Sequence, residues 1–348
     1  MSQDKELTRK KLSALLESPE VENLDIEGNK FVIISDVHLG DGSRADDLRE
    51  NQETLMTALD YYKDEGYQLI LLGDIEEFWQ FDLEKIRQRY DDTVYKKIRA
   101  FGDDRVHRVF GNHDSEWCSY PDPAKSHFER PGCAVEALKM KDFRGKTCIL
   151  LVHGHQGSTE SDKNSWLSRA FVRMYRGVEP VLKFDPHTSA TKSQVTKDYE
   201  QILYSWAKES KVILICGHSH RAIFASRSRV DKLKHDQNVL QSEILDSRSD
   251  SALREQKLEE LYRLIIKLQD ERLKNRDIDV AEPNGDPLPC YFNTGCALYT
   301  NGITTIEIAD GEIRLVKWDK DTGKKPRFEV YQHGSLNSFI AEVEVQHN

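Results

Sequence analysis

Side chains that commonly bind metal ions recur in this sequence, each group directly after a short apolar run. The groups are Asp36-x-His38, Gly73-Asp74, Gly111-Asn112-His113-Asp114, His153-Gly154-His155 and Gly217-His218-Ser219-His220. Carboxylate, imidazole and amide ligands suit divalent metals such as Mn, Fe or Zn. Singly, each residue has an ordinary explanation, such as a helix N-cap for Asp36 or a turn for Asn112. Together they predict a metal cluster.

The apolar runs before these groups are predicted to be buried strands. They are FVIIS, LILL, VHRVF, CILLV and VILIC. Short β-rich runs bounded by glycine are typical of such strands. Open α/β sheets bind ligands just beyond the carboxyl ends of their strands. One crevice could therefore collect two Asp, one Asn and four or five His.

Composition narrows the class of protein. The chain has 348 residues and a net charge of −10, which argues against broad, sequence-independent binding of nucleic acid. It contains no apolar run of about eighteen residues, so we expect no transmembrane segment. The charged N-terminus lacks the apolar core of a signal peptide, and a cytoplasmic location is expected. None of the six cysteines forms a CxxC pair, which favours reduced structural thiols.

The chain divides by composition into four parts. We predict an N-terminal helical segment (1–28), a main domain (29–226 and 284–320), an inserted charged helical hairpin (227–283) and a C-terminal tail (321–348). In the main domain, strands alternate with helical stretches such as ENQETLMTALDYYKDEG, and Asp310-Gly311 predicts a tight β-hairpin turn. The predicted fold class is α/β, with mixed, largely parallel sheets packed as a sandwich flanked by helices.

The ordered motifs DxH, GD, GNHD, H and GHxH resemble those of the calcineurin-like metallophosphoesterase superfamily, over roughly residues 30–225 and 288–310. The resemblance implies a metallophosphatase fold and two divalent cations, with Mn favoured and Fe or Zn as alternatives. It implies that His113 protonates the leaving oxygen and that Asp114 orients His113. The implied ligands of the first metal are Asp36, His38 and His220, those of the second are Asn112, His153 and His218, and Asp74 bridges both.

This arrangement has a physical logic of its own. Two cations about 3.5–4 Å apart can clamp the attacking and leaving oxygens of an in-line displacement at phosphorus. Metal binding also produces hydroxide near neutral pH, and a histidine can neutralise the departing alkoxide. We therefore expect hydrolysis of a small phosphomonoester or phosphodiester by a metal-activated hydroxide.

The segment Gly73-Asp74-Ile-Glu-Glu-Phe-Trp79 departs from the GDxVDRG pattern of Ser/Thr protein phosphatases. It looks more like the branch that contains UDP-2,3-diacylglucosamine hydrolases, although His155 replaces the Asp usual there and Cys296 replaces an Asp after NTG. Three alternatives stay open: a nucleotide-sugar pyrophosphatase, a nuclease, and a scaffold that binds a partner through 227–283. That hairpin could also serve self-association or act as a lid.

Four residues are candidates for substrate contacts: His155, Arg44, Arg169 and Arg173. Arginine forks match phosphate oxygens, although a solvated helix face is the simpler explanation for each arginine. Trp79 is interpreted as an aromatic residue covering a strand end. The role of Glu77 is left open.

Overall fold

The computed structural model describes residues 2–118, 134–157, 190–246, 251–275, 287–320 and 327–345. Its centre consists of two seven-stranded mixed sheets. In chain order the strands are β1 (Asn23–Asp25), β2 (Phe31–Ile34), β3 (Gln68–Leu72), β4 (Val106–Val109), β5 (Ala134–Val135), β6 (Ala137–Lys141), β7 (Thr147–Val152), β8 (Ile213–Cys216), β9 (Ala222–Phe224), β10 (Arg227–Ser228), β11 (Tyr291–Thr294), β12 (Gly302–Ala309), β13 (Glu312–Asp319) and β14 (Arg327–Ser335).

Sheet I has the strand order β14-β13-β12-β2-β3-β4-β5, and sheet II has the order β1-β6-β7-β8-β11-β9-β10. All five apolar runs predicted as strands are strands, namely β2, β3, β4, β7 and β8. The first three are parallel neighbours in sheet I, and the last two are parallel neighbours in sheet II. The remaining pairs of sheet I are antiparallel except β4–β5. The mixed sheets predicted from the sequence are thus confirmed.

Side chains along each buried strand point alternately to the two faces of its sheet, and those on the inner faces form the core between the sheets. Ile33 and Ile70 pack with residues of sheet II, such as Leu150, while Val32 and Leu69 belong to a second cluster on the outer face of sheet I. Successive strand residues point to opposite faces, so one apolar run supplies both layers. These runs lack alternating polar residues because both faces of the sheet are covered.

Helices flank the two sheets or pack against one another. They are α1 (Ser2–Glu17), α2 (Gln52–Asp64), α3 (Leu83–Tyr90), α4 (Lys96–Arg99), α5 (Ala190–Ser210), α6 (Arg229–Asp246), α7 (Ser251–Asn275) and α8 (Leu336–Val345). Helices α2, α3 and α4 contribute to the outer cluster of sheet I. Helix α1 packs on α5, where Trp206 Nε1 donates to Ser13 Oγ at 3.0 Å. No helix in the described ranges combines the length and apolarity needed to cross a bilayer.

The predicted tail, 321–348, is in its described part a structured piece of the main domain. β14 pairs with β13 along its length, and α8 buries Leu336, Ile340 and Val343. These three residues recur at helical spacing, but β14 itself is mostly solvent-exposed, so its sequence lacks an apolar run. Likewise β1, inside the predicted N-terminal helical segment, joins sheet II by parallel pairing with β6.

Two predicted hairpins are present. Asp310 and Gly311, with φ of 53° and 76°, form the turn between β12 and β13, as the left-handed conformation of a tight hairpin turn requires. Helices α6 and α7 pack against each other as the predicted helical hairpin, which begins directly after the edge strand β10.

Candidate metal centre

The candidate site lies where the carboxyl ends of strands from both sheets meet. Asp36 and His38 follow β2, Asp74 follows β3, His153 follows β7, and His218 follows β8. Hydrogen bonds join the two sheets here. His153 Nδ1 lies 2.9 Å from the carbonyl oxygen of Leu72, and the His218 N–H donates to Asp36 Oδ2 at 2.9 Å.

The backbone at these strand ends turns through the left-handed region. A positive φ is uncommon outside glycine, costs about 1–3 kcal/mol, and persists only where the surrounding structure enforces it. The strand ends also pack closely, since a Cβ at Gly111 would overlap the carboxylate of Asp74. Five predicted ligands have such a φ: Asp36 (51°), His38 (51°), Asp74 (52°), His220 (58°) and His218 (66°).

The predicted ligands form two adjacent clusters. Within each cluster the candidate ligand atoms lie within 4.8 Å of one another. Asp74 belongs to the second cluster but faces both, because its Oδ2 is 3.0 Å from His153 Nε2 and 4.0 Å from His38 Nε2. The first cluster consists of Asp36, His38 and His220, and the second of Asp74, His153 and His218.

Within the described residues, no hydrogen bond is made by the buried atoms His38 Nε2, His153 Nε2 and Asn112 Oδ1, although His153 Nε2 lies 3.0 Å from Asp74 Oδ2. The other nitrogen of each imidazole is engaged, since His38 Nδ1 is 2.9 Å from Glu77 Oε2 and His153 Nδ1 faces Leu72. Such contacts fix the imidazole so that Nε2 presents its lone pair. An unsatisfied buried polar atom is costly, and a cation would satisfy all three. The donor set therefore fits divalent metal ions.

Charges within the site are strongly coupled. Burial alone would raise the pKa of Asp74, but the neighbouring His153 and His113 hold that pKa well below its usual value. Burial would lower the pKa of His38, but the hydrogen bond and charge of Glu77 raise it to about 10. In the same way, Asp74 raises the pKa of His153 to about 9 against the effect of burial. His218 is the opposite case, since burial and the charge of His153 lower its pKa to about 3.

His113 is held from two sides. Its Nδ1 lies 2.9 Å from Glu77 Oε1, and the indole of Trp79 stacks on its ring at a centroid distance of 3.9 Å and an interplanar angle of 21°. Trp79 Nε1 donates to the carbonyl oxygen of Asn112 at 3.0 Å. Trp79 thus supports His113 directly, in addition to covering the strand end.

The contact predicted between Asp114 and His113 is not among the hydrogen bonds of Asp114. Its carboxylate points back into the fold and accepts the N–H groups of Gly111, at 2.6 Å, and of Ile75, at 2.8 Å. Asp114 therefore fastens the loop after β4 to the loop after β3, and the carboxylate beside His113 is that of Glu77.

Sequence reasoning left Glu77 without a role and did not weigh Glu76. Glu76 is fully buried and accepts from Arg108, Tyr95 and Trp117 at 2.7–3.0 Å. The sequence does contain a signal for the importance of Glu76 and Glu77: these two adjacent acidic residues follow Gly73-Asp74 in a segment otherwise rich in apolar residues. Buried carboxylates require partners, so the pair anchors this loop.

The predicted substrate contacts are placed unevenly. His155 is buried beside the second cluster, with its ring centroid 5.6 Å from that of His153. Burial, followed by the charge of His153, holds the pKa of His155 well below its usual value. Arg44 is exposed, and no contact joins it to a cluster residue among the residues that the structure covers. Arg169 and Arg173 lie outside the described residues.

Two mixed sheets flanked by helices, with histidine–aspartate clusters at their joined strand ends, define an α/β protein of the metallophosphatase fold. A sequence model of the calcineurin-like phosphoesterase family matches residues 29–222, and the chain belongs to that family. Members of this family are generally phosphoesterase hydrolases that use divalent metals. Comparison with curated protein sequences found no significant match.

Proposed function

We propose that this protein hydrolyses a small phosphomonoester or phosphodiester with two divalent cations, Mn being favoured and Fe or Zn the alternatives. The observation that supports this most strongly is the pair of adjacent ligand clusters, in which the buried nitrogens His38 Nε2 and His153 Nε2 make no hydrogen bond within the described chain. One cation would be held by Asp36, His38 and His220, and the other by Asn112, His153 and His218. Asp74 lies between the clusters and would bind both.

Each remaining residue of the site has a distinct task in this proposal. Bound divalent cations supply Lewis-acid chemistry, which lowers the pKa of a coordinated water and offsets phosphate charge. His113 donates a proton to the leaving oxygen. Glu77 engages His113 Nδ1, so Nε2 is the nitrogen left to deliver that proton.

The first experiment measures metal content and activity together. Protein stripped of metal is reloaded with Mn, Zn, Fe(II) or Mg, and bound metal is counted by mass spectrometry. We expect two ions per chain and turnover of an aryl phosphate or a bis-aryl diester. Asp74→Asn should lose metal and activity together. His113→Ala should keep the metal and lose about 10²–10⁴-fold in rate on substrates with poor leaving groups.

A substrate screen then separates the reaction classes. It compares monoesters, linear and cyclic diesters, and pyrophosphates with and without acyl chains. Turnover confined to acylated pyrophosphates would favour the nucleotide-sugar pyrophosphatase alternative. Cleavage of nucleic acid that falls steeply with added salt would favour a nuclease. Two bound ions without turnover of any class would contradict the proposal.

A further inference from the structure

Helix α7 carries apolar side chains on a face that the rest of the described chain leaves in solvent. Leu258, Tyr262 and Ile266 are 46%, 65% and 48% exposed. They lie four residues apart in sequence and therefore form one continuous line along the helix, which we call the α7 stripe. Single exposed apolar residues are ordinary, but a continuous line of large ones indicates an interaction surface.

Among its described residues, the hairpin buries four apolar side chains: Leu233, Leu240, Ile244 and Leu268. Its own apolar cluster comprises Leu233 and Leu268, with Leu264 packed against them. Leu264 and Leu268 lie on the side of α7 that faces Leu233 of α6, and the α7 stripe lies on a different side of α7. A helix pair with so small a core gains stability when further apolar surface is covered. Covering the α7 stripe with a partner would therefore stabilise the hairpin.

Charges beside the stripe indicate what that partner is. Glu259 and Arg263 flank it and form an exposed ion pair at 2.6 Å, with side chains 67% and 72% exposed. The neighbouring exposed residues Arg254 and Glu255 again have opposite signs. A membrane-surface helix would present a basic polar face, and a strongly charged protein partner would require one sign of charge. The mixed charges beside the α7 stripe are instead complementary to a surface that also carries both signs of charge.

The stripe is self-complementary when two copies of α7 run antiparallel. With Tyr262 on the two-fold axis, Leu258 of one copy meets Ile266 of the other, since both lie four residues from Tyr262. The same alignment brings Glu259 of each copy beside Arg263 of the other, within the reach of these long side chains. A two-fold interface must match itself in this way, residue for residue.

We propose that two copies of this chain associate through the α7 stripe, with the helices antiparallel and reciprocal Glu259–Arg263 pairs along the edge. The interface would form a four-helix arrangement from two hairpins. This inference does not depend on the proposed catalytic function. It assigns the 227–283 insertion to self-association rather than to a lid.

Two charge-reversal variants, studied singly and mixed, test the antiparallel alignment of the two α7 helices. Glu259→Arg gives a chain with two arginines beside the stripe, and Arg263→Glu gives a chain with two glutamates. Each variant alone would bring like charges together, and we expect its dimer dissociation constant to rise about tenfold or more. An equimolar mixture should restore the dimer, because each arginine then faces a glutamate. Sedimentation equilibrium over a concentration series measures the dissociation constants, and circular dichroism verifies the helices.

Two further variants guard against a trivial outcome. Tyr262→Glu changes an exposed residue at the centre of the stripe and should yield folded monomer. Glu260→Lys changes an exposed residue on the opposite side of α7 and should leave the dimer unchanged. A wild-type chain that stays monomeric at hundreds of micromolar, or a mixture that fails to restore association, would overturn the proposal. Stripe-dependent sedimentation of a monomer with phosphatidylserine vesicles would assign the surface to membranes instead.

Discussion

Glu77 Oε2 lies 2.9 Å from His38 Nδ1 and 2.8 Å from His113 Nδ1, and its Oε1 lies 2.9 Å from His113 Nδ1. A single buried side chain thus contacts both the proposed general acid and a proposed metal ligand. Burial opposes its charge, but His113 and His38 lower the pKa of Glu77 to about 2. The carboxylate is therefore ionised throughout the range in which a phosphoesterase would be assayed.

Replacing Glu77 should lower the rate of hydrolysis by an amount that depends on the leaving group of the substrate. Glu77→Gln retains the size of the side chain but cannot hold two imidazoles as an anion. With saturating Mn, kcat for an alkyl phosphate should fall about 10²-fold, while kcat for a nitrophenyl phosphate should fall far less, because a good leaving group needs no proton. Metal affinity should weaken about 10–100-fold. Equal losses on both substrates would argue against a role through His113.

Trp79 should act on the same proton transfer without touching the metal. Trp79→Phe retains an aromatic ring for His113 to stack on but loses the hydrogen bond to the Asn112 carbonyl, whereas Trp79→Ala loses both. We expect kcat on the alkyl phosphate to decline a fewfold for Phe and about tenfold or more for Ala, since stacking and restricted rotation position the imidazole. Steady-state kinetics on metal-replete protein provides the test. Wild-type kcat in Trp79→Ala would remove Trp79 from the mechanism.

Metal binding should release protons. In the metal-free protein the pKa of His38 is raised to about 10 and that of His153 to about 9, so both imidazoles are charged at pH 7.5 and must lose a proton to bind a cation. About two protons should therefore be released per chain, and metal affinity should increase as the pH rises towards 10. Calorimetric titrations in buffers with different ionisation enthalpies count these protons. Glu77→Gln should release about one fewer.

The raised pKa values of His38 and His153 also predict how the stability of the metal-free protein changes with pH. For a histidine whose pKa is higher in the folded state, the stabilisation is fully present below the unfolded value of about 6.5 and is lost as the pH rises through the folded value. The metal-free protein should therefore lose stability between about pH 6.5 and pH 10, and bound metal should reverse this trend. Urea unfolding with and without EDTA across this range compares the two. A metal-free stability that rises over the interval would contradict the assignment.

Asp114 should prove to be a stabilising residue. Asp114→Ala leaves the buried N–H groups of Gly111 and Ile75 without their acceptor, and we expect a loss of about 2–5 kcal/mol in the free energy of unfolding. Asp114→Asn keeps one acceptor oxygen and should lose less. Asp104→Ala, at an exposed position before β4, should change stability by less than about 0.5 kcal/mol. Urea denaturation at pH 8 measures all three, and an Ala variant as stable as the Asp104 control would refute this role.

The five strand-and-ligand segments were predictable because the information is local. An apolar run such as the one before Asp36 specifies a buried strand, and the polar residue at its end must then lie at the edge of a sheet. The helical hairpin was predictable for the same reason, from composition and spacing within one segment. β14 was missed because an exposed edge strand needs no apolar run, and only its pairing with β13 defines it.

The contact between Glu77 and two histidines required the tertiary structure. It arises because the loop after β2 lies along the loop after β3, where the His38 N–H donates to the Asp74 carbonyl at 3.0 Å and the Glu77 N–H donates to that of Leu39 at 3.1 Å. Nothing in the spacing of these segments specifies that alignment. The same holds for Asp114, whose partners are set by the close approach of two strand ends.

The sequence by itself determined which side chains stand at the ends of the buried strands, in which order, and what chemistry their atoms can perform. Only the packing of the two sheets decided which carboxylate meets which imidazole, and that the C-terminal residues complete the core. Side-chain chemistry and strand periodicity are properties of neighbouring residues, whereas a hydrogen bond between distant segments depends on how every intervening element packs.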